Sequence, residues 1–211
     1  MKLEGLDSVS TLLIFGAGGH GRVVADAALA SGGWSRVIAT DRDPQRCRGE
    51  LLPGVALLPV DEAAALADAV HIAIGDAASR RKEAGALGGK SLATVVHPRA
   101  SVAGHASVGP GCFVAAQAVV APGARLGRAV IVNHGAVVDH DVQVGDFCHI
   151  APLAALGGAV DVGSDVLVGS GATVLPRVRV GSNVVIGAGA AVCGNLPAAG
   201  RYAGVPARRL K

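Results

Sequence analysis

The chain has 211 residues, room for one or two domains, and is 51% hydrophobic but only 2% aromatic, with 31 glycines. A net charge of +3 and the near absence of stacking side chains speak against nucleic acid as a partner. Mean hydropathy is +0.48, yet no window of about 18 residues escapes Gly, Pro or a charge, so neither a membrane-spanning helix nor membrane insertion is expected.

Residues 1–10 carry Glu4 and Asp7 ahead of an apolar stretch and do not read as a secretory signal. Residues 11–95 then alternate strand and helix signals. Thr11 to Phe15 is an apolar strand, Gly16 to Gly21 a glycine-rich turn, and Arg22 to Ala30 an Ala-rich helix closed by Gly32 and Gly33. A strand over Arg36 to Thr40 follows, then a loop with Pro44 and Pro53, and a helix near Asp61 to Asp68. Val70 to Ile74 reads as a strand and Asp76 to Ala86 as a helix. The alternation predicts a small α/β unit with a parallel sheet.

Gly16-Ala17-Gly18-Gly19-His20-Gly21 fits G-x-G-x-x-G between a strand and a helix, with Asp41 twenty residues after the last glycine. Free N–H groups and the helix dipole at such a turn attract a phosphate or diphosphate. A carboxylate at the next strand end suits ribose or a base. A unit of this length holds only one mononucleotide half, which favours a nucleotide diphosphate over NAD. A purely structural turn is the third reading. His20 is either a polar cap of the helix or a donor to a ligand phosphate. Gly75 and Asp76 form a second turn at the same sheet edge, and the following Arg80, Arg81 and Lys82 read as a solvated helix face.

From Val96 the pattern changes. Every sixth residue to Val192 is a branched aliphatic, and from Ala100 onward the residue two places before each is small or apolar. A period of six fits neither helix nor simple strand alternation. It suits a chain of short strands and corners in which three segments close one coil of a parallel β-helix. Glycines that follow the aliphatic column, such as Gly109, Gly127 and Gly145, are expected to supply turn conformations that Cβ disfavours. Cys112 and Cys148 fall in the inward column, and the four cysteines form no CxxC pair, which suits buried thiols in a reducing cytoplasm.

Ionisable groups are sparse in the repeats, so the run Asn133-His134 through Asp139-His140-Asp141 to His149 stands out. None of these polar residues occupies the inward column. His140 and His149 are nine apart, half of an eighteen-residue coil, and so fall on opposite sides of one rod. Packing about a threefold axis would bring one chain's His140 near a neighbour's His149. Three readings compete: corner histidines with ordinary hydrogen bonds, a zinc site like that of the γ-class carbonic anhydrases, and a general base at His140 oriented by Asp141 or Asp139.

With the opening Phe15-Gly-Ala-Gly-Gly-His20-Gly21, Gly75-Asp76 with Arg80, Asp139-His140-Asp141, and the closing Ala203-Gly-Val-Pro-Ala207-Arg208, the chain resembles the hexapeptide-repeat acyltransferases of bacterial sugar biosynthesis. The likeness is to nucleotide-4-amino-sugar N-acetyltransferases and sialic-acid O-acetyltransferases. It implies an α/β N-terminal domain (a Rossmann-like half) over residues 1–95 and a left-handed parallel β-helix over 96–211. It further implies a cytoplasmic homotrimer with acetyl-CoA between neighbouring solenoids, a nucleotide-amino-sugar substrate, and no metal. His140 becomes the general base and Asp141 its tuning acid, one methylene shorter than the Glu usual there. Asn133 helps place the acceptor, and His149 lies near the thioester carbonyl. Ser170, Gly187, Ala188 and Gly189 line the pantetheine arm. Gly18, Gly19 and His20 form the diphosphate turn, Asp41 meets the nucleoside, and Gly75-Asp76 stands for a Gly-Asn form.

A thioester carbonyl attacked by an amine or hydroxyl passes through an oxyanion, while the attacking group must lose a proton. A neutral imidazole can accept that proton without a covalent acyl-enzyme. A backbone N–H or His149 would stabilise the oxyanion.

Overall fold

The protein is described by a computed structural model covering residues 10–87 and 89–210. The reading of residues 1–9 lies outside these.

The N-terminal domain is an α/β sandwich around β1 (Thr11–Phe15), whose five residues are all buried. Helix α1 (Gly19–Ser31) leads to β2 (Arg36–Thr40), and after a single 3-10 turn the chain forms a hairpin of β3 (Glu50–Leu52) and β4 (Val55–Leu57). Helix α2 (Val60–Leu66), β5 (Ala69–Ile72), α3 (Ala77–Ala86) and β6 (Ser91–Leu92) complete the domain. The sheet runs β3-β4-β2-β1-β5-β6, parallel except between β3 and β4. The hairpin and β6 add to the expected elements. The stretch around Pro53 turns through Gly54 at φ 83 and donates a strand to the edge of β2. Helix α1 starts at Gly19, three residues ahead of the expected Arg22, so the glycine turn is itself the first turn of the helix.

From Val95–Val96 onward, two-residue strands stack in register eighteen residues apart, as Phe113 on Ile131 and Ile131 on His149. They form three sheets, the three faces of a left-handed β-helix. The first face contains Ile131–Val132, His149–Ile150 and Leu167–Val168, and it continues into Gly200–Ala203 and Arg208–Arg209. The second contains Val137–Val138, Ala155–Leu156 and Thr173–Val174, and the third Gln143–Val144 and Asp161–Val162. The aliphatic column packs inside as expected: Val114 through Val192 is buried at every sixth residue, with Val96, Val102 and Val108 partly buried in the first coil. Cys112 and Cys148 are buried two residues before that column, among the small residues, and burial pushes their thiols up to about 11 and about 12.

The corner glycines work differently from the expectation. Positive φ occurs three residues after each inward aliphatic, at every sixth position from Gly111 to Gly189, and nine of these are not glycine. The glycines directly after the column have ordinary φ. They are required by close approach: a Cβ on Gly109 would lie 2.4 Å from the Gly127 carbonyl oxygen, and one on Gly145 2.7 Å from Ser164 N. The coils touch backbone to backbone there, so the constraint is space rather than dihedral angle.

The two domains are joined along the edge between the third and first faces. Arg80 on α3 is 1% exposed and inserts its guanidinium into this seam. Nε donates to Ala129 O (2.9 Å), Nη1 to Ile74 O (2.7 Å) and Gly75 O (2.9 Å), and Nη2 to Phe147 O (2.5 Å) and Cys148 O (3.3 Å). Arg81 lies 4.1 Å over the Phe147 ring and pairs with Asp165 at 2.6 Å. The expected solvated face on α3 is therefore corrected at Arg80. Its buried side reads Arg80, Glu83, Ala84, polar enough to conceal any apolar periodicity.

Candidate active site

The glycine turn leaves the start of α1 open. Gly18 is the N-cap, no side chain caps the helix, and no acidic residue lies in its first turn. A cleft of about 460 Å³ over the turn is lined by Gly18, Gly19, His20, Asp41, Arg46 and Gly75, among others. Asp41 spends its carboxylate partly on the turn itself, with Oδ2 accepting from Ala17 N and Oδ1 from Asp43 N. Two cations that the sequence did not single out line the cleft. Arg42 is paired with the buried Glu83 at 2.6 Å, and Arg46 lies with Nη1 4.0 Å from Asp41 Oδ2. Thr40, beside Asp41, is fully buried and donates to Leu58 O, so it is a strand residue rather than a ligand contact.

His20 is not the helix cap. It points into the domain seam, edge-on to Phe113 with ring centroids 5.5 Å apart and 6.3 Å from His149. Its Nε2 is buried without a partner. Burial, aided by neighbouring His71, His149 and Arg80, lowers its pKa to about 3, so it is neutral at pH 7. His71, passed over in the sequence, is buried in β5 with Nδ1 on Ala93 O and a pKa lowered to about 4.

A second cleft, of about 810 Å³, runs along the first face of the β-helix beneath the start of α3, and Gly75, Asp76, Arg81, His149 and Asp165 line it. Asp76 caps α3, its Oδ1 accepting from Ser79 N at 2.8 Å, which holds its carboxyl below the usual range. Gly75 borders both clefts, so the glycine turn and the first face adjoin there. His149 lines the second cleft, and its Nε2 lies 3.1 Å from Asn133 Nδ2. The Asn133 Oδ1 already accepts from His134 N, so Nδ2 is the donor and His149 Nε2 the acceptor. Burial first, then the Arg80 charge, lowers the His149 pKa to about 4. This is a neutral ring whose Nε2 lone pair is occupied. In this geometry His149 cannot donate from Nε2 to an oxyanion, and the expectation that it does is corrected.

His140 and Asp141 stand elsewhere, on the edge between the second and third faces. His140 Nδ1 is 3.0 Å from Asp141 Oδ2, and its backbone N–H donates to Asp139 Oδ1. Asp141 has φ 61, a left-handed corner that Asp tolerates better than most residues. The hydrogen bond from Asp141, then the charge of Asp139, raises the His140 pKa. With Nδ1–H directed at the carboxylate, Nε2 carries the lone pair. Ser170, Gly187, Ala188 and Gly189 lie on the edge between the first and second faces, the edge that also carries Asn133, and Gly189 N donates to Ser170 O. Among the described residues no three His, Cys, Asp or Glu side chains gather as a metal would need, and His134, His140 and His149 do not converge.

A β-helix of hexads bearing an α/β domain with an open glycine turn, with one imidazole on an edge and another on the first face, has the architecture of a hexapeptide-repeat acyltransferase. Residues 11–87 match the PglD N-terminal domain, and residues 159–194 match the bacterial transferase hexapeptide repeats. The acetyltransferase domain of PglB from Neisseria gonorrhoeae, solved with acetyl coenzyme A, is 36% identical with a TM-score of 0.88, covering 96% of this chain and 100% of that one. PerB from Caulobacter crescentus, solved with CoA and GDP-perosamine, is 33% identical with a TM-score of 0.88, covering 97% and 99%. GDP-perosamine N-acetyltransferase of Escherichia coli O157:H7 is 30% identical over 105 residues, 50% of this chain and 48% of that protein. The chain spans about half the length of the curated relatives it matches. It belongs to the hexapeptide-repeat sugar acetyltransferases.

Proposed function

We propose that the protein transfers acetyl from acetyl-CoA to the amino group of a nucleotide-linked 4-amino sugar. The observation that carries this is the junction of the two clefts at Gly75. It joins an uncapped helix start, suited to a diphosphate, to His149 on the first face, whose Nε2 is held by Asn133. Nucleotide in the first cleft directs its sugar toward the second, and Asn133 has a further N–H to offer the acceptor. The relatives solved with acetyl coenzyme A or with CoA and GDP-perosamine support the same substrate pair.

In this reading His140 is the general base, with Asp141 fixing its tautomer so that Nε2 takes the proton from the attacking amine. The acetyl group passes directly from sulfur to nitrogen, and CoA leaves as the thiol. Because His140 lies on the edge between the second and third faces and His149 on the first face, the proposed working site lies between two copies, and the proposed assembly is a homotrimer. Cys148 carries no acyl group, since its thiol is buried and its pKa is raised to about 12.

The test is thiol release from acetyl-CoA with a panel of GDP-, UDP- and dTDP-4-amino sugars, with products identified by mass. N-acetylated nucleotide sugar, lost on His140→Asn, is the expected result. Acetylation only of a hydroxyl on a free sialic-acid-like sugar would replace the reading with the O-transfer alternative.

A further inference from the structure

The His140 imidazole lies directly over the corner of the next coil, at Gly158, eighteen residues further on. A Cβ on Gly158 would stand 2.4 Å from His140 Nε2, 2.6 Å from Cε1 and 3.1 Å from Cδ2. The first two distances are closer than real Cβ contacts come, and the atoms concerned are those of the exposed imidazole, so a side chain at 158 would have to move the ring. The Gly158 backbone has no positive φ, so the fold tolerates a side chain there on conformational grounds. Space alone demands glycine. The sequence points the same way. Of the seventeen positions two residues after an inward aliphatic from Val96 to Val192, glycine stands at Gly104, Gly158 and Gly194, and of these only Gly158 has a histidine at the same register eighteen residues earlier.

We propose that Gly158 is a positioning residue for the transfer reaction: its missing side chain is the seat of the His140 ring. The ring has two fixed points, the Asp141 carboxylate at Nδ1 and the bare backbone at 158 beneath Nε2. A methyl at 158 rotates the ring off its seat, displaces Nε2 and opens the contact to Asp141. The inference rests on His140 acting as the base.

Gly158→Ala is expected to lower kcat about 10–100-fold with KM for both substrates within about twofold, the effect of misplacing a reacting group by about 1 Å. The His140 Cε1 proton, followed by NMR, is expected to titrate at lower pH than in the wild type, because the Asp141 contact is lost. In a His140→Ala background the seat is vacant, so adding Gly158→Ala is expected to change neither residual turnover nor melting temperature. Wild-type kcat together with an unshifted His140 titration in Gly158→Ala overturns the proposal. So does a Gly158→Ala variant that misfolds with or without the histidine, because the Cβ is then rejected by something other than the ring. Should His140→Asn retain full turnover, the base assignment fails, and the titration of His140 in Gly158→Ala still decides the packing.

Discussion

Replacing Arg80 by Met tests whether one buried guanidinium holds the two domains together. Its five hydrogen bonds reach carbonyls from three places: the Ile74–Gly75 turn, the Ala129 corner, and the Phe147–Cys148 corner. Among the described residues two of these carbonyls have a second donor, Cys148 O from Ile131 N and Gly75 O from the His149 ring. Met fills the aliphatic part of the space but leaves the other three carbonyls without a partner. At roughly 1–3 kcal/mol each, the gross loss is roughly 3–9 kcal/mol. Against this stands the several kcal/mol spent desolvating a cation that has no carboxylate partner, a penalty reflected in a pKa lowered to about 10 by burial. The hydrogen bonds outweigh the penalty, and the expected net loss is about 3–5 kcal/mol, or a melting point lowered by about 6–20 °C for a chain of this size. Arg80→Lys keeps the charge with three donors and is expected to lose about half as much. The single tryptophan, Trp34, lies in the N-terminal domain, whereas amide hydrogen exchange of the buried valines Val114 to Val192 reports the β-helix. In urea the two signals are expected to coincide in the wild type and to separate in Arg80→Met, Trp34 first. A loss under about 1 kcal/mol with coincident transitions would refute the clamp.

Other perturbations follow from the same coordinates. Stability in urea is expected to fall as pH drops from about 6.5 to about 4. His20, His71 and His149 are held neutral with pKa values lowered to about 3, about 4 and about 4, so the unfolded chain binds more protons across that window. The slope is at most about 4 kcal/mol per pH unit for three groups, His71→Gln should remove about a third of it, and a flat profile would contradict the buried neutral cluster. Asp141→Asn is expected to move the acid limb of kcat/KM to lower pH, because its hydrogen bond is the main cause of the raised His140 pKa; an unmoved limb would detach His140 from the observed ionisation. Gly145→Ala, whose Cβ would lie 2.7 Å from both Gly163 C and Ser164 N, is expected to destabilise the β-helix by about 1–3 kcal/mol, measured by circular dichroism in urea. The exposed Gly171, at φ 66 with open space around it, is expected to lose only about 1 kcal/mol on substitution to Ala, so the pair separates crowding from conformational strain.

The β-helix was legible because a single structural constraint repeats. Each coil must fill a narrow triangular interior, so Val, Leu or Ile recurs every sixth residue whatever lies outside. The same repeat misled on the glycines. Sequence shows that Gly109, Gly127 and Gly145 recur but not whether a dihedral or a neighbour requires them, and the neighbour lies eighteen residues away in the next coil. Arg80 was illegible for a related reason. Its acceptors are backbone carbonyls up to 68 residues distant, and carbonyls leave no mark in a sequence. The following Arg81 and Lys82 gave the stretch the look of a solvated face, whereas a buried Arg paired to a carboxylate would have left an acidic partner to notice.

The site divides along the same line. Local chain geometry accounts for the placements that sequence anticipates: Gly18, Gly19 and Asp41 line one cleft, and His140 meets the adjoining Asp141 at its corner. What escaped depends on which atoms of a side chain are already taken. Asn133 and His149 were both singled out, but only their mutual hydrogen bond shows that His149 Nε2 is an acceptor and cannot stabilise an oxyanion from that atom. In the proposed mechanism a backbone N–H would then serve the oxyanion, and since His140 lies on the edge between the second and third faces while His149 lies on the first face, the proposed base would reach Asn133 from another copy of the chain. A site split in this way has a kinetic signature: mixing inactive His140→Asn with inactive Asn133→Ala subunits should restore activity as mixed assemblies form, because some interfaces then contain both intact partners. If mixed assemblies form without recovery, both residues act within one chain and the intersubunit reading falls.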